Sequence, residues 1–168
     1  MLLDSRLEFA DALTVAAAAT TIAVIPNSNI IDLGSYLGGA AGATEKTPDV
    51  ALGEPLWLVG TVDTEVITGG SAGTLQFALY SNATADLAST PTLHYTSPSF
   101  VTDDAAANSD ALNAGGTLFA VQLPLGSYQR YLVLGYIIGT TTITAGKINA
   151  FLTHDVSKWV APVNAVNG

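Results

Sequence analysis

His94 and His154 supply all the imidazole chemistry in this chain of 168 residues. A nucleophilic site would need Ser or Thr beside a histidine that a carboxylate orients. His154 directly precedes Asp155, and neighbouring side chains of an extended strand point to opposite faces, so these two cannot form that relay. They read as a polar pair at a strand end. His94 lies in Thr92-Leu-His-Tyr-Thr96 and reads as a surface histidine on a strand. Two histidines with no third ligand at metal spacing make a poor zinc site. The absence of cysteine removes disulfides, thiolate zinc sites and thiol catalysis together.

The carboxylates offer little more. Asp103-Asp-Ala-Ala-Ala-Asn-Ser-Asp110 could give oxygen ligands to calcium, but it lacks the central Gly and terminal Glu of a calcium loop and reads as an acidic, solvated loop. Glycoside hydrolysis needs two carboxylates facing each other across a cleft, whereas Asp63 and Glu65 share one strand face, with Glu54 nearby. Trp57, Tyr80, Tyr95 and Tyr136 could stack on sugars, and their first reading is core or interface. Gly69-Gly-Ser-Ala-Gly73 has neither the lysine nor the following helix of a phosphate loop and reads as a hairpin turn. Asn82-Ala-Thr84 matches the glycosylation triplet, taken as accidental without a secretory signal. The expectation is a protein with no catalytic set, no metal and no cofactor.

The elements that would hold these residues are strands. Thr20–Ile25 and Ile30–Leu33 are β-type on either side of Pro26-Asn-Ser-Asn29. Further segments follow at 55–64, 74–80, 91–96, 117–123, 130–138 and 146–154. Leu75, Phe77 and Leu79 alternate with Thr74, Gln76, Ala78 and Tyr80, the pattern of a half-buried antiparallel strand. Phe119, Val121 and Leu123 repeat it, and so do Ile148, Ala150 and Leu152. Tyr131–Ile138 is apolar on both faces and is followed by a Thr/Gly turn, so 131–155 reads as a hairpin. Residues 1–19 admit an amphipathic helix, since Leu3, Leu7 and Ala10 fall at helical spacing, but an extended N-terminal arm is the reading adopted. The division is therefore an arm at 1–19, one β-sandwich domain at 20–156 with long loops near 34–53 and 97–116, and a C-terminal tail at 157–168. About eight short strands with Gly, Pro and Asn turns predict an all-β, antiparallel, jelly-roll-like sandwich.

The totals narrow the class. Only 11% of residues are charged, against roughly 25% in an average soluble domain, so much of the surface carries no charge. Fourteen acidic and five basic residues give a net charge of -9, which disfavours nucleic acid as a partner. Every apolar stretch is broken well before the roughly 20 residues a membrane helix needs. Acidic residues at positions 4 and 8 do not fit an export signal. An uncharged surface on such a chain points to a subunit of an assembly.

Five segments occur in one order along the chain: Met1-Leu-Leu-Asp4, Ile30-Ile-Asp-Leu-Gly34, Gly53-Glu-Pro-Leu-Trp-Leu-Val59, Leu123-Pro-Leu-Gly126 with Arg130-Tyr-Leu-Val-Leu134, and Thr144-Ala-Gly-Lys-Ile-Asn-Ala-Phe-Leu152. Together they resemble the Bbp16-type capsid cement proteins of tailed bacteriophages. The resemblance implies a jelly-roll subunit on the outer surface of the capsid. It would cement neighbouring major capsid protein subunits and form homodimers. On that reading the arm residues Leu2, Leu3, Leu7 and Phe9 are the expected capsid contacts. Trp57, Tyr131, Tyr136 and Phe151 are the expected subunit contacts, with sandwich core as the competing place for each. The alternative function is a carbohydrate-binding jelly-roll module on a virion surface, using exposed aromatics and the acidic loop. A hydrolase or isomerase on the same scaffold is weaker, for want of an acid/base or metal cluster.

Overall fold

The computed structural model describes residues 7–24, 30–33, 55–85, 90–103, 108–126, 128–157 and 159. Ten strands lie among them: β1 (Glu8–Thr14), β2 (Thr20–Val24), β3 (Ile31–Asp32), β4 (Trp57–Ile67), β5 (Gly73–Asn82), β6 (Thr92–Thr96), β7 (Phe100–Thr102), β8 (Thr117–Gln122), β9 (Tyr131–Gly139) and β10 (Ala145–Thr153). One sheet has the order β1-β10-β4-β8, and the other the order β2-β9-β5-β6, with β3 also on β9 and β7 also on β5. All pairings are antiparallel.

The ten strands occupy eight positions, because β2 and β3 lie end to end along β9, and β6 and β7 end to end along β5. Numbered by position, the pairs are first with eighth, second with seventh, third with sixth and fourth with fifth, falling alternately in the two sheets. A long antiparallel hairpin folded over on itself gives this nesting. The chain is thus an all-β, antiparallel sandwich, as the strand count and turn chemistry predict.

Period-two alternation fills the space between the sheets. Leu58 and Val62 of β4 and Ile148, Ala150 and Leu152 of β10 face Leu75, Phe77 and Leu79 of β5 and Leu132, Leu134, Tyr136 and Ile138 of β9, all of them in the buried core. The Phe77 ring meets Phe100 and Phe119 edge-on, at centroid distances of 6.5 and 5.5 Å. Each such side chain stabilises the fold by about 1.5–3 kcal/mol when removed from water.

Four expectations are corrected. Residues 8–14 are an edge strand of the sandwich rather than part of an arm, because Phe9 and Ala10 are fully buried and Leu7 is buried beside them. A bulge bends that strand at Ala12, φ 47°, where the N–H donates to Asn149 Oδ1 at 2.6 Å. The 131–155 hairpin does not exist: β9 and β10 lie in different sheets, so the Thr/Gly turn carries the chain across the sandwich. The 69–73 turn does the same between β4 and β5. Within the expected loop at 97–116, Phe100–Thr102 forms β7, and a 3₁₀ turn at Asp110–Leu112 inserts Leu112 into the core.

Candidate functional site

The structure assembles a pair that the sequence left apart. Ser81 and His94 are 13 residues distant, but the β5–β6 register sets Ser81 beside Thr92 and brings Ser81 Oγ to 2.7 Å from His94 Nε2. Ser81 Oγ also accepts the Gln129 N–H at 3.0 Å. The His94 ring stacks on Tyr128 at 4.0 Å, and the Tyr128 hydroxyl donates to Pro124 O at 2.6 Å. Burial pushes the His94 pKa down from 6.5 and the Tyr128 pKa up to about 12, favouring the neutral form of both. His94 is thus a half-buried structural residue and not the surface histidine expected from its strand.

A serine at hydrogen-bond distance from a histidine is half of a nucleophilic relay. Ser81 is wholly buried, however, and among the described residues no carboxylate holds the other ring nitrogen. What the cluster does is fasten: it ties the 124–129 segment to β5 and β6. The β5–β6 register is the signal that would have found it.

The remaining chemical candidates are dispersed. His154 Nδ1 lies 3.1 Å from Pro55 O at the foot of β4. Asn108 donates to Val66 O at 2.6 Å, pinning the end of the acidic segment, whose residues 104–107 lie outside the described ones. Asp63 is exposed beside Thr64, whose hydroxyl donates to it at 3.0 Å. Among the described residues no three His, Asp or Glu side chains gather as a metal site would require. Nor do the aromatics form a sugar platform, since Tyr136 is a core residue, Tyr80 is buried and Tyr95 packs edge-on against Phe119 at 6.0 Å.

The expected contact residues divide. Leu2 and Leu3 lie outside the described residues, while Leu7 and Phe9 are spent on the core. Tyr136 points inward with Leu134 and Ile138, so its place as a subunit contact is corrected to core. Phe151 faces away from the core in a row with Val59 and Ala120, and the Trp159 ring closes over it edge-on at 4.8 Å. It too is buried. Trp57 is half-buried on the same outward face, between Thr153 and Gln122. Tyr131 is half-buried under Arg130, whose guanidinium carbon sits 5.0 Å above its ring. Arg130 in turn grips Asp32 with Nε on Oδ1 and Nη2 on Oδ2, both 2.9 Å, joining β3 to the start of β9. The hydrogen bond to Asp32 raises the Arg130 pKa.

The two outward faces differ in charge. That of the β1-β10-β4-β8 sheet carries Glu8 and Lys147, and burial followed by the like charge of Asp11 pushes the Glu8 carboxyl up. On the other sheet the outward positions of the two central strands, Thr74, Gln76, Ala78 and Tyr80 on β5 and Tyr131, Val133, Gly135 and Ile137 on β9, carry no charge, and the paired Asp32 and Arg130 sit beside Tyr131 at the β3 end. Val133 and Tyr80 are buried although they face away from the core.

These observations define a class: an all-β sandwich whose buried polar groups fasten its loops and whose outer surface is largely uncharged. Within that class the chain belongs to the Bbp16 family, whose profile matches residues 9–152. Membership suggests a structural protein of a bacteriophage particle. No curated protein matches the chain.

Proposed function

We propose that this protein binds the outer surface of a phage capsid and cements neighbouring major capsid protein subunits, and that it does so as a homodimer without catalysing a reaction. The Bbp16 match, which covers the sandwich from Phe9 in β1 to Leu152 in β10, carries this reading. Three properties support it. The net charge of -9 suits a position away from packaged DNA. Few charged residues leave faces that association can desolvate cheaply. The polar clusters serve the sandwich itself, so the domain is built to hold its shape. Attachment then rests on surface burial at many equivalent positions, which turns individually weak contacts into firm binding.

The test is addition of the purified protein to expanded heads that lack it. Saturable, stoichiometric binding is expected, and no binding at any concentration would end the proposal.

A further inference from the structure

Leu125 is the most exposed large apolar side chain among the described residues, at 71%. It stands in the turn after β8, and that turn is anchored at both feet, Leu123 and Tyr128, each only 2% exposed. The Leu123 N–H donates to Leu56 O at 2.8 Å, the Tyr128 hydroxyl to Pro124 O at 2.6 Å, and the Gln129 N–H to Ser81 Oγ at 3.0 Å. The Tyr128 ring adds its stack on His94. Between the feet the chain stands clear of the sandwich: Pro124, Leu125 and Gly126 are exposed, and a methyl group built at Gly126 would meet nothing within 4 Å beyond its chain neighbours. No residue from Gln122 to Gln129 is charged.

An apolar side chain standing singly on a surface is ordinary and asks for no partner. The fastening beneath Leu125 sets it apart. Buried polar groups on β5 and β6 are committed to holding a short segment that gives Leu123 and Tyr128 to the core and turns Leu125 outward. The ring of Pro124 fixes its own φ, and the bonds at either foot fix the rest, so the shape of the tip is set before any partner arrives. Fixing a contact loop in advance lowers the entropy that binding must give up.

We infer that Leu125 is a rigid knob that seats in an apolar pocket of the major capsid protein, which makes this turn a point of attachment to the shell. The inference rests on the proposed function and names a contact for it. Shape selects a different protein over a second copy. A two-fold dimer contact is self-complementary, so it would set one tip against the other and bury little. A knob needs a hole, and between copies of one chain a knob-in-hole contact is heterologous and builds rings or filaments instead of a closed dimer. The uncharged flanks let the turn enter a pocket without leaving a buried charge unpaired.

Titration of full-length variants onto expanded heads that lack the protein tests it. Leu125→Asp is expected to melt at the wild-type temperature, because the side chain is exposed, and to raise the apparent Kd for heads by about 100-fold. Should that variant melt early, Leu125→Ala decides, with an expected rise of about tenfold. Val101→Asp adds the same charge at a side chain 50% exposed, paired with the start of β5 where the turn is tied near its end, and should bind as the wild type does. A folded Leu125→Asp chain that binds like wild type overturns the inference and leaves cementing standing. Equal losses from Leu125→Asp and Val101→Asp overturn it as well, being an effect of charge alone. If Leu125→Asp instead turns a dimer of the free chain into a monomer in sedimentation, the knob belongs to a second copy and the inference fails. A wild-type chain that does not bind heads ends this inference and the proposed function together.

Discussion

A methyl group added at Gly60 would stand inside the ring of Phe119, its partner across the β4–β8 pairing. That ring cannot step aside, because Phe77 and Tyr95 hold it edge-on from the facing sheet. Gly60→Ala is expected to destabilise the protein by about 1–3 kcal/mol, the usual cost of overpacking. Urea titration checks this, and combining it with Phe119→Leu should recover part of the loss, since residues in contact do not add independently. His94 gives a second prediction at this scale. Its folded pKa lies below 6.5, so the unfolded chain takes up a proton that the folded chain refuses, and stability falls as pH drops through 6.5 toward the folded value. Melting temperatures between pH 8 and 5 should show that decline, and His94→Gln should flatten it. An unchanged slope would mean that another group is responsible. None of this was legible in sequence, because Gly60 meets Phe119, and Ser81 meets His94, only once the strands have paired.

Strands announce themselves through alternation, and β4, β5, β6, β8, β9 and β10 fall where their β-branched and aromatic residues predict. Their partners are another matter. A short turn that returns a strand beside its predecessor and one that carries it across to the other sheet use the same Gly and Thr residues, which is why 69–73 and 139–145 read as hairpins. β1 escaped for a different reason: Ala10, Ala12 and the bulge at Ala12 destroy the alternation that would mark Glu8–Thr14 as a strand. Its status changes what truncation should do. Removing residues 1–12 takes Leu7, Phe9 and Ala10 from the core, so loss of cooperative unfolding is expected; Phe9→Ala alone should cost about 3–5 kcal/mol in chemical denaturation. Removing residues 1–6 spares the strand, so that truncation is the one that asks whether Leu2 and Leu3 contribute to attachment. At the other end, Trp159 covers Phe151 on the outward face. Trp159→Ala should lose about 0.5–1.5 kcal/mol from the ring pair and more from exposed area, read as a lowered melting temperature.

For the whole molecule, composition carried more than any motif. Low charge, an acidic balance and the lack of a chemical cluster pointed to an assembly subunit before any strand was placed. The five ordered segments pointed to the family that the match over residues 9–152 establishes. The contact surfaces stayed illegible, because aromatics on two-faced strands look alike whether they fill a core or meet a neighbour. Tyr136 turned inward, Phe151 went under Trp159, and only Trp57 and Tyr131 kept part of their surface. Cementing makes one demand that no lesser role does, namely that the particle be stronger with the protein than without it. The measurement is the heat-disruption temperature of DNA-filled heads stripped of the protein and then reconstituted with the full chain. Cementing predicts saturable binding with a disruption temperature that climbs with occupancy and plateaus at saturation; heads that bind the protein and break at the same temperature as bare ones would contradict it.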